Sequence, residues 1–402
     1  MRVASGRTGN GRGRAVAPSA MTGSTGRRPE ERSAAGPAVE RLPLPAGAAL
    51  SLAAGLYGGV ARLADGVSAP SASAAQHGPL MVLGFLGTLI SLERAVALRS
   101  RWAYLAPALA ACGGLLAFTG VGEPSGRLAL TAAAAWLVAI HLVPARRRPG
   151  WDTALQVGGS LAWYAGGMLW LTGRPPADLV PWFAAFLVLT IAGERLEPAR
   201  IAFTGRLATG GLAVCGAVVL AGAAVSAWTG GAGWRITGIG MLATAGWLAR
   251  YDIVRRTVRS TGLPRYTAVC LLAGYAWLAA AGALWAVHGR PEWSFAYDAA
   301  LHALFIGFVI SMVFGHAPVI LPAVLRIRLP YHPVLYPPLV LLHAGLAVRV
   351  AGDAVGDTAA RTAGGVLGGA AIVLFAGCTV AAARLTRPAA ARRTGGDEEG
   401  TP

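Results

Sequence analysis

Between residues 43 and 385 the chain alternates apolar blocks of about 20 residues with short polar breaks. Twelve blocks can be drawn, at 44–64, 77–93, 103–121, 127–145, 152–172, 178–194, 207–228, 234–250, 266–288, 297–318, 333–352 and 362–384. Wound as an α-helix, each is long enough to cross a hydrocarbon layer about 30 Å thick. The breaks are short, so consecutive helices run antiparallel. The pattern predicts an all-α polytopic membrane bundle of about twelve transmembrane helices, filling residues 43–385 and surrounded by a lipid bilayer. Residues 1–42 are rich in Arg, Gly, Ser and Pro and hold too little apolar surface to offset their conformational entropy. They read as a disordered tail, too polar for the start of a signal peptide. Residues 386–402 read as a second one.

Composition sharpens this picture. Hydrophobic residues make up 55% of the 402 and charged residues only 13%, with mean hydropathy +0.54. Soluble domains carry about 25% charged residues, so a set of soluble domains is excluded. The net charge of +17 would suit nucleic acid, but its placement argues against that partner. All 35 basic residues are Arg, and only Arg62, Arg127, Arg174, Arg235, Arg290, Arg349 and Arg361 follow odd-numbered blocks. The remaining 28 (35 less these seven) lie in the tails or near the ends of even-numbered blocks. Such a bias puts the basic side, and both termini, in the cytoplasm. It also tests the count, because one helix more or fewer would move every later basic loop to the other side. Cys112, Cys215, Cys270 and Cys378 are scattered in apolar blocks and read as small buried hydrophobes. The chain has no phosphate-binding glycine loop with Lys, no HExxH and no nucleophile elbow, so ATP-driven transport by it alone is not expected.

A spacing recurs along the chain. Phe85-Leu86 is followed by Ile90, Glu93-Arg94 and Arg99, and Phe186-Leu187 by Ile191, Glu194-Arg195 and Arg200 at the same intervals. The tenth block keeps Phe305-Ile306 and Ile310. These blocks are four apart, which suggests a threefold four-helix pseudo-repeat instead of the two sets of six common in transporters.

Ionisable groups are costly inside a bilayer, so each histidine there is a candidate for function. His77 opens the second block and His302 lies in the first turns of the tenth. Both blocks run from outside to inside, which puts the two imidazoles at similar depth. Facing neutral imidazoles are what a low-spin haem iron takes as axial ligands, and Gly78, Gly84, Gly87, Ala303 and Gly307 leave room for a flat macrocycle. The same positions also suit interfacial histidines bonded to loops. His316 follows His302 by 14 residues, on the same helix face but about 21 Å further along. His343 falls mid-way along the eleventh block. These two could hold a second haem or a copper ion, or hydrogen-bond to neighbouring helices. His141, His288 and His332 read as solvated helix-end or loop residues, and the two Glu-Arg pairs as interfacial anchors, with proton entry as the alternative. Trp102, Tyr104, Trp151, Trp182, Trp228, Trp234, Trp293, Tyr297 and Tyr331 read as an aromatic belt.

His77-Gly78-x-x-Met81 resembles the second helix of subunit I of the haem–copper oxidases, where this His is an axial haem ligand whose partner lies on the tenth helix, as His302 does here. That family has His-x-His where this chain has His302-Ala303-Leu304, and copper-binding His on the sixth and seventh helices, where this chain has none. Oxygen reduction at a haem–copper centre is therefore not implied. LHALFIGFVISMVFGH, with the later LAVRVAG, is similar to the NnrS family, polytopic haem- and copper-containing proteins associated with the nitric oxide response of denitrifying bacteria. The Gly-His-Thr-Gly-Arg pattern of that family stands here as Gly315-His316-Ala317-Pro318. The resemblance implies a bacterial inner-membrane protein with haem b, a copper site, and a redox partner. His77 and His302 would bind haem, with His316 and His343 at a second metal. Two other readings stay open: a proton-coupled secondary transporter, and an accessory subunit.

Overall fold

The computed structural model describes residues 41–63, 74–120, 123–202, 205–290, 295–327 and 329–385. The tails expected at 1–42 and 386–402 lie outside these, apart from residues 41 and 42, which lead into the first helix. Among the described residues there is no strand, and twelve long helices stand where the apolar blocks predict them. We number them α1 (Pro43–Ala61), α2 (His77–Leu98), α3 (Leu105–Thr119), α4 (Glu123–Arg147), α5 (Trp151–Leu171) and α6 (Val180–Ala202). The second half comprises α7 (Arg206–Ser226), α8 (Gly230–Tyr251), α9 (Gly262–His288), α10 (Phe295–Leu325), α11 (Tyr336–Val355) and α12 (Thr358–Leu385). In lipid every backbone N–H and C=O must bond within its own segment, which is why the blocks wind as helices. Ten of the twelve are long and apolar enough to cross a membrane. The other two, α5 and α8, have matching lengths but carry Asp152, Gln156, Ser160, Thr237 and Thr244, all buried against neighbouring helices.

Consecutive helices pack side by side from α3 to α9, and α11 pairs with α12. The glycines explain how closely. In lipid there is little hydrophobic drive between helices, so association depends on backbones coming near enough for dispersion contact. A Cβ built on Gly238 of α8 would lie 2.7 Å from the Gly282 carbonyl oxygen of α9, and one on Gly345 of α11 would lie 3.2 Å from that of Gly364 on α12. Gly238→Ala therefore forces two backbones apart and is expected to cost about 1–3 kcal/mol. This should appear as a lower unfolding midpoint in detergent. Gly246→Ala, where a Cβ meets nothing within 4 Å, is the matched control. Equal midpoints for the two variants would refute the close contact.

The large aromatics divide between core and surface. Trp102, Trp151 and Trp228 are exposed, as a belt requires. Trp182 and Trp234 are buried, which corrects their assignment to the belt. Trp234 meets Trp285 edge-on at 4.6 Å between ring centres, with Tyr297 6.0 Å away. Trp293 lies outside the described residues.

Two segments depart from the α-helix. Leu80–Gly87 in α2 and Ala303–Ile310 in α10 are π-helical, with i→i+5 bonds. Each added residue swings the rest of the helix around its axis by roughly 100°. His316 contacts Arg195, whereas His302 lines a cavity that His316 does not reach.

Candidate functional site

The site is built where the start of α2 crosses α1. Gly55 and Gly59 leave α1 without side chains on this face, and the His77 ring lies against it. A Cβ on Gly59 would come within 2.8 Å of His77 Cε1. His77 Nδ1 is 2.6 Å from the Gly55 carbonyl oxygen. A carbonyl can only accept, so Nδ1 carries the proton and Nε2 keeps its lone pair. No hydrogen bond engages Nε2 among the described residues.

His302 repeats this chemistry on α10. Its Nδ1 donates to the Asp298 carbonyl one turn back, at 2.8 Å, with the Asp298 carboxylate 3.4 Å away. Again Nε2 is left with a lone pair and no partner among the described residues. The carboxylate is held by Arg349 of α11, whose Nε and Nη2 reach its two oxygens at 2.7 and 2.8 Å. Arg349, Asp298 and His302 thus fix one another. An Nδ1–H bonded to a carbonyl, with Nε2 free, is the state in which a histidine ligates a metal.

Both rings line one cavity of about 670 Å³, within the range of small-molecule and cofactor sites. Its walls are mostly apolar: Leu56 and Val60 of α1, Met81 and Leu86 of α2, Phe183 of α6, Phe305 and Ile306 of α10. On α12 the wall is Gly364, Gly365, Gly368 and Gly369, and a Cβ on either of the last two would meet nothing within 4 Å. Arg62, Arg349 and Arg361 add three guanidinium groups against the one carboxylate of Asp298. Arg361 Nε is buried with no hydrogen bond among the described residues. Asp353 of α11 is also buried, and its carboxyl lies beside that of Asp298.

The other candidate ligands fare differently. His343 accepts from Trp277 Nε1 at Nδ1 (3.0 Å), which places its proton on Nε2, 3.3 Å from Ser311 Oγ. That hydroxyl in turn donates to the Cys270 carbonyl at 2.7 Å. Both nitrogens of His343 are therefore engaged. His316 donates from Nδ1 to the Met312 carbonyl, and its Nε2 faces the Arg195 guanidinium at 3.5 Å. The structure brings His77 and His302 to one cavity and gives His316 and His343 separate partners. Among the described residues no group of three or more His, Cys, Asp and Glu is arranged to hold a metal ion. His288 is exposed, and His332 caps the turn before α11 by accepting from the Val334 N–H.

At the opposite end of α2 and α6 the two Glu-Arg pairs meet. Arg94 Nη2 donates to Glu93 at 2.6 Å and to Glu194 at 3.2 Å. Arg195 grips Asp252, just past α8, through two bonds of 2.8 and 2.9 Å, and Tyr275 Oη donates to the same carboxylate at 2.6 Å. The pairs thus form a network between helices, beyond the role of surface anchors. His141 is buried within α4, which corrects its reading as a solvated helix-end residue, because α4 runs six residues further to Arg147. Outside the membrane helices, Arg148 is exposed and bonds Glu197 at 2.8 Å, which raises its already high pKa.

Three residues around the cavity escape sequence reasoning: Asp298, Arg349 and Asp353. The signal was present. Each is an ionisable residue within or at the edge of an apolar block, but Arg349 counts towards the outer loops when only charge totals are taken.

A family model described as a domain of unknown function, DUF8744, matches residues 41–384. No curated protein and no solved structure matches the chain.

Proposed function

The chain belongs to the DUF8744 family, and we propose that it is a multi-pass membrane protein that binds haem b between α2 and α10, with His77 and His302 as axial ligands. The observation that carries this reading is the pair of imidazoles on one cavity, each with Nδ1–H given to a backbone carbonyl and Nε2 uncommitted. The bare glycine wall of α12 suits a flat macrocycle, and Arg62 and Arg361 suit carboxylates at its edge. When bound, haem supplies a one-electron couple. With both imidazoles holding the group, no position would stay open to a gas, which would favour electron transfer with a redox partner. The residues of this chain position the group: Gly55 and Asp298 set the ring tautomers, and Arg349 steadies Asp298. Copper does not enter the proposal, since the partners of His343 use both its nitrogens and a guanidinium faces His316. The topology we propose has twelve spans with both termini cytoplasmic, supported by the Arg bias and by α5 and α8 matching their neighbours in length.

A reduced-minus-oxidised visible spectrum of the purified full chain tests the reading. A b-type band is expected, at one haem per chain by pyridine haemochrome assay. A colourless preparation, still colourless after incubation with haem, would sink it and favour a proton-coupled transporter, for which the Glu93–Arg94–Glu194 cluster is the supporting observation.

A further inference from the structure

At the basic end, away from the haem cavity, the charges do not balance. Asp252 has Arg195 to itself, whereas Glu93 and Glu194 share Arg94. Both carboxylates bond the same nitrogen, Nη2, so their oxygens crowd one guanidinium. Neither glutamate has a further hydrogen-bond partner among the described residues. Two carboxylates on one cation leave a net negative charge. The three side chains are only 21–26% exposed, so solvent screens it poorly. The surroundings do not neutralise it with another cation in contact: on α6, Arg195 is committed to Asp252, and Arg148 is bonded to Glu197. Asp152 of α5 lies with Arg148.

A second observation points to the missing charge. His141 of α4 is 1% exposed, with Arg94 as its charged neighbour and the Gln156 carbonyl alongside its ring. Neither ring nitrogen completes a hydrogen bond of good geometry among the described residues. Arg94 Nε and Ser91 Oγ, on the neighbouring face of α2, are buried and unpartnered in the same sense. A neutral imidazole carries one N–H and one lone pair, so it can take a proton at one nitrogen and release it at the other.

We propose that Glu93 and Glu194 together bind one exchangeable proton beside Arg94, and that His141 relays it into the bundle. The proton is held as a carboxylic O–H on one glutamate, leaving the other as the carboxylate paired with Arg94, so charge and atoms balance without a co-reactant. A metal cation fits this place poorly, because a guanidinium sits at its centre and the described residues offer no three-ligand group. The partial exposure of the three side chains gives the proton a route to bulk water on the basic side. Among the described residues, His316 and Tyr275 also face this cluster, His316 beside Arg195 and Tyr275 bonded to Asp252. The assignment rests on this cluster and not on haem occupancy.

Infrared spectroscopy of the full chain in lipid nanodiscs tests it. The expected result is a carboxylic-acid carbonyl band at neutral pH that downshifts in heavy water and is lost in both Glu93→Gln and Glu194→Gln. Glu197→Gln, at an exposed carboxylate, should leave it in place. His141→Phe should keep the band and slow proton uptake into liposomes holding the full chain, under an imposed pH gradient, at least tenfold. A wild-type protein without the band, or a band untouched by both glutamine variants, overturns the proposal. So does a band that disappears on adding sodium or potassium at fixed pH, which would mark a cation site. Proton uptake by His141→Phe at the wild-type rate would overturn the relay. If one glutamine variant does not fold, the other and the wild-type titration still decide. A lost haem spectrum with the band intact separates failure of the haem reading from failure here.

Discussion

Purified His302→Ala protein is expected to lose the six-coordinate low-spin spectrum of the wild type, retaining at most a five-coordinate, high-spin haem. Free imidazole should restore the low-spin form. The expectation follows from the tautomers: His302 and His77 each keep one lone pair, on Nε2, and the one carboxylate beside them on the cavity, Asp298, is held at both oxygens by Arg349. The volume left by the missing ring adds to a cavity of about 670 Å³ and admits imidazole. His77→Ala should behave alike, with one difference. Its ring also fills the groove over Gly55 and Gly59, so its loss should lower the unfolding midpoint even without haem. Asp298→Asn separates ligation from support: the backbone carbonyl that holds His302 Nδ1 remains, while the ion pair to Arg349 is lost. Weakening a residue that orients a ligand costs about 10–100-fold in affinity, so the Asp298→Asn variant should bind haem more weakly and keep its low-spin spectrum when saturated. An unchanged spectrum in both His302→Ala and His77→Ala would refute axial ligation by this pair.

Much of this is legible along the chain, because in a bilayer the solvent itself imposes the rule. A block of about 20 apolar residues must be helical, and the twelve helices fall where the blocks do. His77 and His302 stand out for the same reason: imidazoles are rare in such blocks, and the outside-to-inside direction of their helices sets a common depth. The features that stay hidden depend on contact. Nothing local marks Leu80–Gly87 or Ala303–Ile310 as π-helical, since the choice between i→i+4 and i→i+5 bonding is made by packing, as where the Trp163 ring closes on Gly87. His141 looks like a helix-end residue until the true end of α4 is known. Asp252 reads as one acid in an Arg-rich loop, yet it is buried under an arginine 57 positions earlier. The recurring Glu-Arg spacing signals that two helices are alike. It cannot signal that the two pairs meet, or that two glutamates share one guanidinium.

The Arg195–Asp252 contact yields the largest stability effect we expect. The Asp252 side chain is fully buried and accepts from Arg195 Nε, Arg195 Nη2, Tyr275 Oη and the Val254 N–H. Arg195→Met keeps much of the length and the apolar stem of the side chain but removes both charged donors. The carboxylate is then left desolvated, with only two neutral donors. Removing one partner of a buried ion pair costs about 3–5 kcal/mol, more than the pair itself contributes, because the remaining charge has nowhere to go. The single variant should therefore give a sharply lower unfolding midpoint and a poor yield of monodisperse protein. Adding Asp252→Asn removes the orphaned charge, keeps one oxygen to accept from the Val254 N–H and offers an amide N–H to Tyr275 Oη, so the double variant should recover most of the loss. This recovery separates burial of an unpaired charge from simple loss of packing, which the second substitution could not repair. A single variant within about 0.5 kcal/mol of wild type would show that the contact is a weak surface pair. A double variant no better than the single one would show that packing, not charge, holds the ends of α6, α8 and α9 together.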